Sequence, residues 1–289
     1  MIERRGIAMW ARVLAVALCL GGAHGARAEM PRRIVSVNLC TDQLALMLVD
    51  RARIQSVSFL AADPASSPMA AEARGLHLNH GLAEEILPLR PDIILAGPHG
   101  ARQMIALMRH LRYRVVQLPL GNGLDDIAKH VRRIARALGA EAKGEALLDE
   151  FTRRLAALPG PAPGLRPRAV LIESSGVTSG AGTLPHAVMK KAGFENLAAQ
   201  IGLRGVTRLP LEIIVQSRPD ALIRGWLEPQ YPSLAARLLT HPALARSVAD
   251  GAGIDIPDNL WSCATPGVIT AIERLARFRV SLAQGPVTQ

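Results

Sequence analysis

Apolar positions in this chain come in two formats that alternate. Compact runs of strand length occur at Arg33–Val37, Ile54–Val57, Arg114–Leu118, Arg168–Ile172 and Gly251–Ile256. Between them, apolar residues recur at three- and four-residue spacing, which predicts helices over Thr41–Val49, Gln103–Leu111, Leu124–Leu138, Leu184–Ala192, Leu234–Leu239 and Gly267–Val280. Short buried strands alternating with helices are the signature of α/β layering. The helix Leu124–Leu138 carries its stripe at Ile127, Val131, Ile134 and Leu138. After Gly139 the pattern restarts with Ala146, Leu147, Phe151, Leu155 and Leu158 on one face, a helix of about 18 residues and roughly 27 Å. It stops at the breaker cluster Pro159–Gly164. Leu60–Pro68, with Asp63-Pro64 and Ser66-Ser67-Pro68, reads as a loop.

One stretch occurs twice. Arg90-Pro91-Asp92-Ile93-Ile94-Leu95-Ala96-Gly97 returns as Arg218-Pro219-Asp220-Ala221-Leu222-Ile223-Arg224-Gly225, and the match extends upstream, with Glu84 over Glu212. Six of the fourteen aligned positions are identical. Each copy predicts a helix stopped by Arg-Pro, then a buried strand closed by glycine. Two copies 128 residues apart predict two α/β lobes. The expected organisation is a segment 1–28 that is removed, an N-terminal lobe 29–139, a connecting helix and linker 140–164, and a C-terminal lobe 165–289.

The start of the chain explains the first boundary. Arg4 and Arg5 precede an apolar run from Trp10 to Leu20, then small residues ending in Ala26-Arg27-Ala28. That order is a secretory signal peptide cleaved near Ala28. The run is about half of what a membrane span needs. The whole chain carries a formal charge of +10; without the first 28 residues it has 30 basic against 23 acidic residues, or +7. An exported protein rarely meets nucleic acid, so an anionic small ligand suits this excess better, with an arginine-rich surface of no special purpose as the alternative.

In open α/β sheets ligands bind beyond the carboxyl ends of the strands. The segments there are Asn38–Asp42, Phe59–Asp63, Gly97–His99 and Pro119–Asn122 in the first lobe, and Glu173–Thr183, Arg224–Tyr231 and Asp258–Thr265 in the second. Trp226 and Trp261 fall in this set, in a chain with only 3% aromatic residues. Thr41, Thr183 and Thr265 are expected to cap helices there, offering free N–H groups to anions. The candidate ligand-binding residues are Asn38, Cys40, Thr41, Asp42, Phe59, His99, Trp226, Tyr231, Trp261 and Cys263. No catalytic set emerges: Gly180-Ala181-Gly182 lacks the third glycine of a dinucleotide fingerprint, and there is no Gly-x-Ser-x-Gly elbow or Cys-x-x-Cys. His77 and His80 could share a metal but read better as loop residues; no metal and no resident cofactor is expected.

The signal peptide, the strand Arg33-Ile34-Val35-Ser36, Gly81-Leu82-Ala83-Glu84-Glu85-Ile86 running into Arg90-Pro91-Asp92, the single long helix and the second repeat together resemble the periplasmic substrate-binding proteins of ABC importers for cobalamin and iron complexes (siderophores and haem). The resemblance covers essentially residues 31–280. It implies two α/β lobes with a ligand cleft between them, joined by one rigid helix that limits domain motion. It also implies a monomeric, non-enzymatic receptor for a metal chelate or corrinoid, with Glu84 and Glu212 docking to an inner-membrane permease. The tyrosines that hold haem iron in some relatives have no clear counterpart, since only Tyr113 and Tyr231 exist. A receptor for free zinc or manganese and an exported two-lobed enzyme are the alternatives. Cys40 and Cys263 remain once the first segment is gone, in an oxidising compartment. Two free thiols lining the cleft are expected in preference to a disulfide, because a bridge needs Cα atoms within about 7 Å.

Overall fold

The computed structural model describes residues 30–160, 166–226, 241–248 and 252–284. The signal segment, Tyr231 and the expected helix Leu234–Leu239 lie outside the described residues, as does the side chain of Trp226.

The first sheet is built from β1 (Ile34–Ser36), β2 (Ile54–Ser58), β3 (His77–Asn79), β4 (Ile93–Ala96) and β5 (Val115–Gln117), all parallel, in the order β3-β2-β1-β4-β5. Its helices are α1 (Leu39–Leu48), α2 (Ala70–Ala73), α3 (Ala83–Ile86), α4 (Arg102–His110) and α5 (Asp125–Leu138). The second sheet uses β6 (Arg168–Ile172), β8 (Glu195–Asn196), β10 (Ala221–Trp226) and β11 (Gly253–Pro257), parallel in the order β11-β10-β6-β8. Beside it an antiparallel pair forms from β7 (Val177–Ser179) and β9 (Val206–Arg208). The helices of this half are α7 (Leu184–Lys191), α8 (Leu197–Gln200), α9 (Leu211–Ser217), α10 (Pro242–Ala245) and α11 (Ile269–Gln284). The fold is therefore two α/β lobes, with α6 (Glu141–Ala156) running between the last strand of one and the first of the other.

Every central strand is buried on both faces, as parallel strands covered by helices are: Ile34, Ile93, Ile94, Leu95, Val170, Leu171 and Ile223 have no exposed surface. One continuous core runs through both lobes, from Leu44, Ile127 and Val131 by way of Phe151 to Leu171, Phe194 and Leu275. The buried face of α6 differs from the expected stripe. Gly144, Leu148 and Phe151 are enclosed, whereas Ala146 is exposed. The reason is Gly144, where an added Cβ would lie 2.7 Å from that of Ala135, so α5 and α6 approach too closely for any larger residue. A glycine that looks like a helix weakness by propensity sets the rotation of the helix.

The repeat is a structural clasp. In each copy a helix ends on an arginine in the left-handed region, Arg90 (φ 45°) and Arg218 (φ 43°). Proline follows, and the aspartate turns back on the neighbouring strand. Asp92 Oδ2 accepts from the backbone N–H groups of Arg32 and Arg33 at 2.8 and 2.9 Å, and Asp220 Oδ2 accepts from that of Arg168 at 2.6 Å. The same arginines return the grip: the Arg33 guanidinium donates to the carbonyls of Leu89 and Arg90, and that of Arg168 to those of Ser217 and Arg218. These carbonyls stand at a helix end, where they have no helical partner. The repeat thus has a third part, Arg33 and Arg168, that linear alignment of the Arg-Pro-Asp segments does not reveal.

Candidate ligand site at the carboxyl ends of the sheets

The two sheets meet through segments that follow their strands. Asn259, after β11, donates its side-chain N–H to the Pro64 carbonyl at 2.8 Å. Thr265 donates to Gln43 Oε1 at 3.1 Å, and His130 Nδ1 lies 3.2 Å from the Ala264 carbonyl. Between these contacts Cys40 and Cys263 form a disulfide, with Cα atoms 5.2 Å apart. The expectation of two free thiols is corrected here. The segments after β1 and β11 are pressed together by the surrounding hydrogen bonds, so the lobes touch at this seam instead of standing a ligand's width apart. Farther along, Arg154 and Glu273 form a two-pronged ion pair that fastens α6 to α11.

Several expected cleft residues are enclosed. Thr41 has no exposed surface, and its hydroxyl is occupied by Ser36 Oγ and the Asn38 carbonyl. Asp42 is equally enclosed: it accepts from the Ser58 N–H at 3.1 Å and from the Ser58 hydroxyl. Burial pushes its carboxyl up to about 7, although the Ser36 and Ser58 hydroxyls pull the other way. Both belong to the first turns of α1, which begins at Leu39, earlier than predicted. The cap is Asn38, whose Oδ1 accepts from Cys40 N–H at 3.1 Å, and not Thr41. Thr183 does cap α7 through the His186 N–H, while Thr265 makes no such bond. Trp261 is only 2% exposed, packed in the core with its indole N–H directed at Asp258 Oδ1 (3.5 Å), so it is a core residue and not a cleft platform.

What stays accessible is a shorter set. Asn38 is half-buried and lies over Gly97, where an added Cβ would come within 2.4 Å of its amide. Phe59 is 46% exposed and stacks on His80, ring centroids 4.9 Å apart. His80 is in turn held by Glu85 at 2.9 Å, and His77 sits in β3 beside Ser56. His99 is exposed.

In the second lobe two residues that sequence reasoning did not single out take the central place. Glu173, directly after β6, and Asp258, directly after β11, converge over Gly225 near the end of β10; a Cβ there would meet Glu173 Cγ at 2.6 Å and Asp258 Oδ1 at 2.7 Å. Burial, then the neighbouring Asp258 charge, raises Glu173 to about 7. Burial also raises Asp258, opposed by the Trp261 indole. The usable signal was the closing glycine of the repeat, read together with the residue after the neighbouring strand.

Glu84 and Glu212 are both exposed, each the second residue of its helix, α3 and α9. Glu85 is turned back to accept from the His80 N–H at 2.7 Å, which leaves Glu84 as the outward carboxylate of its pair.

Comparison with known proteins agrees with this architecture. The profile of a family described as periplasmic binding protein matches residues 34–250, and the chain belongs to that family. It is 24% identical over 253 residues to a cobalamin-binding protein of Halobacterium salinarum, covering 85% of this chain and 69% of that protein. The fold is similar to the apo periplasmic heme-binding protein RhuT from Roseiflexus sp. RS-1 (TM-score 0.70, 22% identity, 88% of this chain and 99% of that one). It is also similar to the periplasmic vitamin B12 binding protein BtuF of Vibrio cholerae (TM-score 0.64, 19% identity, 88% and 98%).

Proposed function

We propose that this protein is exported to the periplasm, where it binds a corrinoid of the cobalamin type between its lobes and hands it to an ABC permease. In this reading residues 1–28 are the signal peptide, 29–139 and 165–289 are the two lobes, and 140–164 joins them. The observation that carries the ligand class is the acidic wall of the second lobe. Glu173 and Asp258 converge over Gly225 with no basic partner among the described residues, so the pair offers carboxyl groups to neutral amides and holds no cation for an anionic ligand. A corrinoid presents a rim of amides, whereas haem presents two carboxylates. The similarity to a cobalamin-binding protein points the same way. Asn38 and His99 would face the same ligand from the first lobe, and Trp226 and Tyr231 are its proposed partners in the second.

An iron chelate is the second reading, favoured by the exposed Phe59–His80 stack, a flat surface suited to a macrocycle. Titration of the mature protein with cyanocobalamin, haemin and a ferric hydroxamate separates the two. Binding of cyanocobalamin at one per chain, with Kd below about 1 µM, is expected; binding of haemin or hydroxamate alone would overturn the corrinoid assignment. Glu84 and Glu212 are proposed as the permease anchors, one per lobe, supported by their equivalent places in the two clasps.

A further inference from the structure

The Phe59–His80 stack has an edge as well as a face. Phe59 opens the segment after β2 and His80 the segment after β3, both at the carboxyl end of the first sheet. Asn79, the last residue of β3, ties that end together: its side-chain amide donates to the carbonyls of Ser36 and Val57 and to the Ser56 hydroxyl. The segment that Phe59 begins runs on to Pro64, whose carbonyl holds Asn259 of the second lobe. Asp258 directly precedes Asn259. The Phe59–His80 stack and the Glu173–Asp258 pair therefore flank the Asn259–Pro64 contact, one from each lobe.

One ring nitrogen of His80 is left uncommitted. A face of the ring lies on Phe59, with centroids 4.9 Å apart. Nδ1 is 2.9 Å from Glu85 Oε1, and a carboxylate only accepts, so Nδ1 carries the proton and donates it. Glu85 is itself fixed, because its Oε2 accepts from the backbone N–H groups of His80 and Leu82 at 2.7 and 3.3 Å. In the neutral ring Nε2 is then a bare lone pair, with no hydrogen-bond partner among the described residues. The His80 side chain is 60% exposed, so solvent or a ligand can reach it. A surface His–Glu pair is ordinarily one loose contact. Here the acid makes three hydrogen bonds and the ring has a stacking partner, so the direction of Nε2 is set in advance.

An imidazole whose far nitrogen is clamped by a carboxylate is the arrangement that orients metal-ligating histidines and raises their basicity. A bare ion finds no cage here: among the described residues no three His, Cys, Asp or Glu side chains gather, and His77 is turned to the Ser56 hydroxyl. The metal that suits His80 is one that arrives with its equatorial positions already filled. We infer that His80 Nε2 coordinates the cobalt of the bound corrinoid on its exchangeable axial face, an assignment that rests on the corrinoid reading. Nε2 donates its lone pair to Co(III) and the axial water leaves. No electron is transferred, and the proton on Nδ1 stays between the ring and Glu85. Imidazole nitrogen is a favoured donor to first-row transition metals.

Titration of the mature protein with aquacobalamin, whose axial water exchanges, and with cyanocobalamin, whose cyanide does not, decides the assignment. Both should bind at one per chain. Only aquacobalamin should change its visible absorption bands on binding, in the manner that saturating free imidazole produces, and it should bind tighter than cyanocobalamin by about tenfold or more, the scale on which a supported imidazole contributes to metal affinity. His80→Ala should remove both the band shift and the preference for aquacobalamin. Glu85→Gln should keep the shift and lose most of the preference. Circular dichroism checks the fold of each variant. Binding of both corrinoids without a band shift, a shift that survives His80→Ala, or a shift lost with His99→Ala instead would overturn the inference while the corrinoid reading stands. Binding of neither corrinoid would overturn that reading, and this inference with it.

Discussion

Gly97 and Gly225 close the two copies of one sequence repeat, and their surroundings show where the lobes part company. In both, a glycine stands within one residue of the strand's end, where a polar side chain from beyond the neighbouring strand lies in the place of a Cβ. In the first lobe that side chain is Asn38, a neutral amide that caps α1. In the second it is Glu173, joined by Asp258, and neither has a basic partner among the described residues. Upstream the copies stay alike: exposed glutamate, left-handed arginine, proline, aspartate on the next strand's amides. The end proposed to dock the permease is built the same way on both lobes, and the end proposed to face the ligand is not.

The largest effect is expected from the shared end. Reversing Glu84 and Glu212 to Lys together should abolish uptake of the transported ligand in cells, with ligand affinity of the purified protein kept within a few-fold. A like-charge contact in such an interface costs several kcal/mol, while neither residue takes part in the hydrogen bonds or the disulfide of the seam. Uptake by the double variant at the normal rate would mean that the likeness of the two clasps serves folding alone.

Next comes the seam that holds the two unlike ends together. Cys40 and Cys263 are 223 residues apart in sequence, and closing a loop of that length contributes about 5 kcal/mol in the chain-entropy model. The pair Cys40→Ser and Cys263→Ser should therefore melt about 10 °C or more below the parent, measured without reductant. If the parent releases two free thiols on denaturation, or if the variant melts at the same temperature, the covalent seam is not what keeps the lobes apposed.

The clasps differ in one respect that is measurable. Asp92 satisfies two backbone amides and Asp220 one. Asp92→Ala should cost about 2–3 kcal/mol and Asp220→Ala about 1–2, read from denaturant midpoints. Equal losses would mean that the return grip of Arg33 and Arg168 dominates.

Much of this was legible in the sequence for a physical reason. Buried parallel strands and helix stripes have periods that survive any ligand change, so Arg168–Ile172 was read at its observed limits and most helices within about two residues. The repeat predicted two lobes because a clasp needs Arg-Pro-Asp in that order. The rest depends on tertiary neighbours. β3, β8 and the β7–β9 pair are two or three residues long and have no period to detect. Thr41 and Asp42 looked available because polar residues after a strand usually are, and only the Ser36 and Ser58 hydroxyls explain their burial. The disulfide could not be read from spacing, since it depends on how closely the segments after β1 and β11 approach. Glu173 and Asp258 are 85 residues apart and meet only through the strand order β11-β10-β6.

The smallest predicted effect tests the difference at the cleft end directly. Glu173 has a carboxyl raised to about 7 in the folded protein, against 4.5 for the free side chain. Below pH 4.5 it is protonated in both states and costs nothing. As pH rises from 4.5 to 7 the unfolded chain loses this proton while the folded one keeps it, so stability falls across that window and levels off above it. Glutamine mimics the protonated form at every pH. Glu173→Gln should thus match the parent near pH 4.5 and exceed it at pH 8. The full shift would correspond to roughly 3 kcal/mol, and partial solvent access with coupling to Asp258 reduces the expectation to about 1–2. Asp42, also raised to about 7, gives both proteins the same background slope, so the difference between their urea midpoints at pH 5 and pH 8 isolates Glu173. A gap that does not widen with pH, or a variant less stable at pH 8, would show that Glu173 is already matched by a cation, and that the two glycine-closed ends are electrostatically alike.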